Sequence, residues 1–153
     1  MQTGIFGKLP AHGDFINRGL PAPLRKSLDH WITRNIGQQP LPAGGLRVRL
    51  TLGGAPYFAV IMASRDKHRR GFPIVAVASD QGQELSVVDH WCDLSAEMLS
   101  EAISDRTEAD TLVQALPSLP NDTRGEPQSA DILWQQGRAP QPLASAIAAL
   151  NSD

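Results

Sequence analysis

The sequence predicts an α/β domain of the α+β kind: a largely antiparallel central sheet of about five strands with helices packed on it. Three observations predict it. Leu46, Val48, Leu50 and Leu52 alternate with Arg47, Arg49 and Thr51, the two-residue period of a strand. Apolar runs at Tyr57–Met62 and Pro73–Ala78 are short enough to be strands buried on both faces. The stretches from Leu24 and from Val87 instead carry apolar residues at helical spacing. The resulting order is strand, helix, three strands, two helices, strand, helix, which lacks the regular alternation of a doubly wound fold. A profilin-like or longin-like layout fits that order by analogy.

The elements follow in turn. Thr3 to Leu9 reads as a first strand ended by Pro10, and Phe15-Ile16 as an apolar pair turning back inward. Pro21 and Pro23 suit a helix entrance, where the missing donor costs nothing. The helix then runs on Leu24, Leu28, Trp31, Ile32 and Ile36 and stops at Gly37. After a Pro/Gly linker comes the Leu46–Leu52 strand, with Arg47, Arg49 and Thr51 assigned to a wet face. Gly53-Gly54-Ala55-Pro56 reads as a hairpin turn. Ser86 with Asp89 resembles a capping box opening a helix on Val87, Trp91, Leu94, Met98 and Ala102. A shorter helix starts near Thr107 with Asp110 in capping reach. Residues 117–128 turn polar and read as a long exposed loop. Ala130–Gln135 is a late strand, and residues 142–150 a C-terminal helix docking by Leu143, Ile147 and Leu150.

At 153 residues, 41% hydrophobic and 20% charged, the chain suits a single domain, 1–153, with a sizeable core. A net charge of −2 argues against neutralising many nucleic-acid phosphates. The single cysteine, Cys92, excludes an internal disulfide. The start has no leader pattern, and no run approaches the roughly 20 apolar residues that span a bilayer. A cytoplasmic protein without membrane insertion is expected.

The chemistry is concentrated in two loops. Gly7-Lys8 follows a strand, but a phosphate-binding loop needs a glycine where Gln2 stands and Ser or Thr where Leu9 stands. His12 and Asp14 flank Gly13, and with Asp66 they would be the residues of a metal-dependent hydrolase, the alternative reading. The blander expectation is that Asp14 holds its own turn and His12 packs on the first strand. In Ser64-Arg65-Asp66-Lys67-His68-Arg69-Arg70, one carboxylate sits among five basic groups, suited to pinning the loop or receiving an anion or acidic surface. Cys92 and His90, two apart on a helix, do not share a face, so Cys92 reads as a buried hydrophobe. No Gly-x-Ser-x-Gly elbow is present. Trp31, Trp91 and Trp134 read as core. No catalytic residue, metal or cofactor is expected.

The run Gly7-Lys8-Leu9-Pro10-Ala11-His12-Gly13-Asp14-Phe15 resembles the N-terminal signature of the TagF (ImpM) family of type VI secretion-associated proteins. Ser64 to Pro73 resembles that family's Ser-x-Asp-Arg-x-Gly-Arg-x-Phe-Pro loop, with Lys67 standing for Arg and Arg69 for Gly. Ile132-Leu133-Trp134 is similar to its Ser-Leu-Trp strand. The resemblance implies a cytoplasmic accessory protein that restrains assembly post-translationally through the forkhead-associated scaffold protein of the system. Carried over by position, its residues fall on Gly7, Lys8, Pro10, His12, Gly13, Asp14, Ser64, Asp66, Arg70, Phe72 and Pro73. We expect the two loops to lie together as a recognition edge of Lys8, His12, Asp14, Ser64, Asp66, Arg69 and Arg70. Within it, Asp14, Asp66 and Arg70 are expected to form one buried ion-pair network.

Overall fold

The computed structural model describes residues 3–119 and 131–151. Its centre is β4, Ala55–Met62, whose last five residues are all buried because both faces of the sheet are covered. On one side β4 pairs with β3, Leu46–Leu52, through the Gly53-Gly54 turn, and on the other with β5, Ile74–Ser79. β1, Thr3–Gly7, adds antiparallel to β5, and β2, Ile16–Arg18, folds back on β1. Beyond β3 lie β6, Ile132–Trp134, and β7, Gln141–Pro142. The order β2-β1-β5-β4-β3-β6-β7 has antiparallel neighbours throughout. The sheet thus has seven strands where about five were expected. The two extra pieces, β2 and β7, are three and two residues long, too short to show a period.

Alternation along each strand sends side chains to two cores. Val48, Ala59, Ile61, Val75 and Val77 meet α1, Ala22–Asn35, and α4, Leu143–Asn151. Phe58, Val60, Ala76 and Ile5 face α2, Leu85–Asp105, and α3, Ala109–Ala115. The arrangement is α+β, with helices on both faces of the sheet. α1 begins behind Pro21 with Pro23 in its first turn and ends before Gly37, whose φ of 58° suits a helix stop.

Several expectations need correction. The supposed wet face of β3 is wet only at Thr51: Arg47, bonded to Asp89 and Asp93 of α2, is fully buried and Arg49 nearly so. Ser86 does not cap α2, which starts after Glu84 without a side-chain cap, and Asp110 does not cap α3. The buried stripe of α2 is Val88, Trp91, Cys92, Ser95, Ala96, Leu99 and Ala102. It is rotated from the expected one, leaving Leu94 exposed, because small residues at 92, 95 and 96 let the helix approach the sheet. Phe15 does not turn inward; Ile16 alone does. Of the expected loop 117–128, Leu119 is buried in the α2 core, and residues 120–128 lie outside the described residues. Ala130, the expected start of the late strand, lies outside them as well.

All three tryptophans are core, each with its indole N–H satisfied: Trp31 donates to Asp131, Trp91 to the Pro117 carbonyl, and Trp134 to Asp89. Cys92 is buried, and burial pushes its thiol up to about 12, with Asp89 and Asp93 adding to the shift against Arg47 and Arg49. Its neighbour His90 is exposed on another side of α2. Among the described residues no helix is long and apolar enough to cross a membrane.

Candidate functional site

β1 ends, β4 ends and β5 begins at one end of the sheet, because Gly7 pairs with Ile74 and Ile74 with Met62. That register brings the opening loop, residues 8–15, against the loop of residues 63–73. Gly7 has φ 134°, and a Cβ there would stand 1.9 Å from the Pro73 carbonyl, so only glycine lets the two loop bases approach.

The loops are joined mostly through backbone atoms. Lys67 N–H donates to the His12 carbonyl at 2.8 Å, Ser64 Oγ to the Lys8 carbonyl at 2.7 Å, and Arg70 Nη2 to the Gly13 carbonyl at 2.9 Å. Asp66 is the hub. Its Oδ1 accepts the His68 N–H at 2.8 Å and the Arg70 N–H at 3.0 Å. Its Oδ2 accepts Arg70 Nε at 2.9 Å and lies 3.2 Å from Lys8 Nζ. Burial raises the pKa of this carboxyl. The opposing contributions of the Arg70 N–H, Lys8, the His68 N–H and the Arg70 guanidinium together outweigh it and hold Asp66 well below the usual carboxylate range.

The expected Asp14–Asp66–Arg70 network is therefore formed with Lys8 in place of Asp14. Asp14 is exposed, and its Oδ1 accepts the N–H of Phe15 at 2.7 Å, the local turn role of this residue type. His12 does not simply pack on β1: its Nε2 accepts the N–H of Ala109 at 3.0 Å, satisfying a free donor at the start of α3. This bond requires the neutral ring protonated at Nδ1. Arg18 pairs with Asp110, a second tie from the N-terminal segment to α3. Arg69 is exposed with φ 65°, a left-handed conformation at the position where the family loop carries glycine.

His12, Asp14 and Asp66, the residues of the alternative metal-dependent reading, thus serve three separate partners. No group of three His, Cys, Asp or Glu side chains among the described residues is placed to hold one metal ion.

Sequence reasoning missed two features. Phe15 remains 47% exposed, stacked at 5.9 Å on Phe6 and edge-on at 4.9 Å to Phe72, with Lys8 Nζ 4.8 Å from its ring centre. The second is the pair of arginines beneath α2. Arg49 makes two 2.8 Å bonds to Asp80 and one of 2.9 Å to the Gln83 carbonyl. Arg47 Nη1 bonds Asp89 at 2.8 Å and Asp93 at 2.7 Å.

The fold and its locked loops define a small α+β domain whose distinguishing feature is the junction built on the opening segment. Residues 4–44 match the family model of the TagF N-terminal domain, described as type VI secretion system-associated, and support the family recognition made on the opening loop. The chain is similar in fold to PA0076 from Pseudomonas aeruginosa PAO1, seen in a crystal structure. The TM-score is 0.60 at 22% identity, over 98% of this chain and 77% of that one. A comparison with curated proteins gave no match.

Proposed function

We propose that this chain is a cytoplasmic, non-enzymatic regulator that restrains assembly of a type VI secretion system by binding the forkhead-associated scaffold protein of that system. One observation carries the reading. The opening loop, inside the TagF-matched segment, is spent on holding a second, cation-rich loop in a fixed shape, an arrangement suited to recognition. The polar side chains Ser64 and Asp66 of the second loop and His12 of the opening one are engaged with backbone donors and acceptors. Restraint would then work by sequestration: the scaffold protein held in the complex is withheld from assembly.

Calorimetric titration of the full chain with the forkhead-associated protein tests this directly. Saturable binding, together with lower secretion when the chain is overproduced, is the expected result. No heat at concentrations well above micromolar would overturn the reading, and copurification in fixed stoichiometry with the assembled machine would replace it by a structural-subunit role.

A further inference from the structure

Three large hydrophobic side chains are exposed among the described residues: Phe15, Leu85 and Leu94. The latter two lie on α2, whose charged side chains Asp89, Asp93, Glu97, Glu101 and Asp105 are all acidic. Phe15 alone stands at the junction of the loops. It is joined to Asp66 through Lys8, whose Nζ touches both the ring and the carboxylate.

We propose that Phe15 and the exposed cations Arg65, Lys67, Arg69 and Arg70 form one docking face for an acidic protein surface that offers an apolar side chain. The inference deepens the partner-binding reading above by specifying the chemistry of the partner's contact.

Three arguments converge. The first is charge. Lys8 and Arg70 share Asp66, so Arg65, Lys67 and Arg69 carry the excess of a face whose other carboxylate, Asp14, lies at its edge. This local excess contrasts with the net charge of −2 for the whole chain. The second is order. Asp66 fixes the 66–70 backbone, Arg70 reaches across to Gly13, and Gly13 leaves room for His68, whose Nε2 would lie 3.2 Å from a Cβ there. A face held this way loses little conformational freedom on binding. The third is composition. A rigid aromatic ring flanked by arginines is the residue mix that carries binding energy at interfaces, whereas cations alone steer approach without anchoring it. Phe6 and Phe72 hold the Phe15 ring, so its outward edge is available without rearrangement.

The test uses the full chain and two probes. The first is a synthetic peptide of glutamates flanking a central leucine pair, titrated by NMR. The second is the forkhead-associated protein, titrated by calorimetry. Shift changes confined to residues 12–15 and 65–70 with the peptide are expected, and none with the lysine counterpart. Phe15→Ala is expected to weaken peptide binding about tenfold at any salt concentration. Lys67→Glu should weaken it strongly at low salt and little at high salt. Lys26→Glu, an exposed cation on α1, should change nothing.

Peptide shifts elsewhere, or equal binding by Phe15→Ala, would overturn the proposed face. So would preference for duplex DNA over the peptide, or self-association abolished by Lys67→Glu. The scaffold titration separates the two readings: peptide binding without scaffold binding sinks the assigned partner and leaves the face standing. Scaffold binding unaffected by Phe15→Ala and Lys67→Glu does the reverse.

Discussion

The molecule holds two ion networks that bury opposite signs. At the loop junction a carboxylate is buried beneath cations: the Asp66 side chain is inaccessible, while that of Arg70 is 61% exposed. Beneath α2 it is the arginines that are buried, and part of their carboxylate complement reaches water. The difference lies in what each network fixes. A buried carboxylate accepting two backbone N–H groups dictates the path of its own loop. A buried arginine, Arg47, reaching α2 42 and 46 positions away dictates where that helix lies on the sheet. The first network therefore governs the shape of an exposed surface, and the second governs the fold.

The sharpest way to break this comparison is inside the α2 network, where two neighbouring arginines have unlike partners. Asp80, the partner of Arg49, is 1% exposed at its side chain, so Arg49→Met would strand a charge that water cannot reach. We expect it to cost about 3–5 kcal/mol in urea unfolding. The side chains of Asp89 and Asp93, partners of Arg47, are 37% and 42% exposed and would take up water. Two Arg47 nitrogens, Nε and Nη2, are also buried without a partner among the described residues, a cost that methionine removes. Arg47→Met should therefore cost no more than about 1.5 kcal/mol. Equal losses for the two variants would show that exposure of the partner is not what sets the penalty.

The loop network makes its own prediction through pH. The folded-state pKa of Asp66 is depressed, so its contribution to stability is whole above the ordinary carboxylate value of about 4. It is lost as pH falls from there toward the depressed value, since the unfolded chain takes up the proton first. Asp66→Asn should lower the melting temperature at neutral pH and narrow its gap from the unmodified chain below about pH 4. A constant gap across that range would mean that the carboxylate charge does not hold the loop. Amide exchange should quicken at residues 66–70 in the variant and stay unchanged in β4.

These two networks were unequally legible in the sequence. The loop could be read because its hub and partners are close in the chain or within a known motif: Asp66 and Arg70 are four apart, and Gly7 to Asp14 is continuous. The exchange of Lys8 for Asp14 could not be read, since it depends on which side chain points beneath Phe15. Alternation along β3 correctly identified which residues share a face. It could not say whether that face is covered, because the answer lies in Asp80, Asp89 and Asp93 on later segments. An arginine pair alternating with three leucines and a valine looks identical in a half-solvated strand and in one roofed by an acidic helix. The start of α3 was likewise misplaced, since its first donor is satisfied by His12, 97 positions earlier, and no local cap marks it.

The smallest expected effect concerns the place where the loop departs from the TagF loop it resembles in a conformationally costly way. Arg69 adopts φ 65°, a region that L residues with a Cβ enter at a cost of about 1 kcal/mol. The turn is imposed from both sides: the Asp66 carbonyl accepts the Arg69 N–H at 3.0 Å, while the Asp66 N–H donates to the Arg70 carbonyl at 3.0 Å. Glycine at this position would relieve the strain, partly offset by the greater freedom it gives the unfolded chain. Arg69→Gly is thus expected to stabilise the chain by up to about 1 kcal/mol in urea unfolding, and to weaken binding of the glutamate peptide at low salt. The retention of arginine at a strained position has a rationale only if its charge is used. A variant that gains stability and loses no peptide affinity would detach Arg69 from the docking face, leaving Phe15, Arg65, Lys67 and Arg70 as its residues.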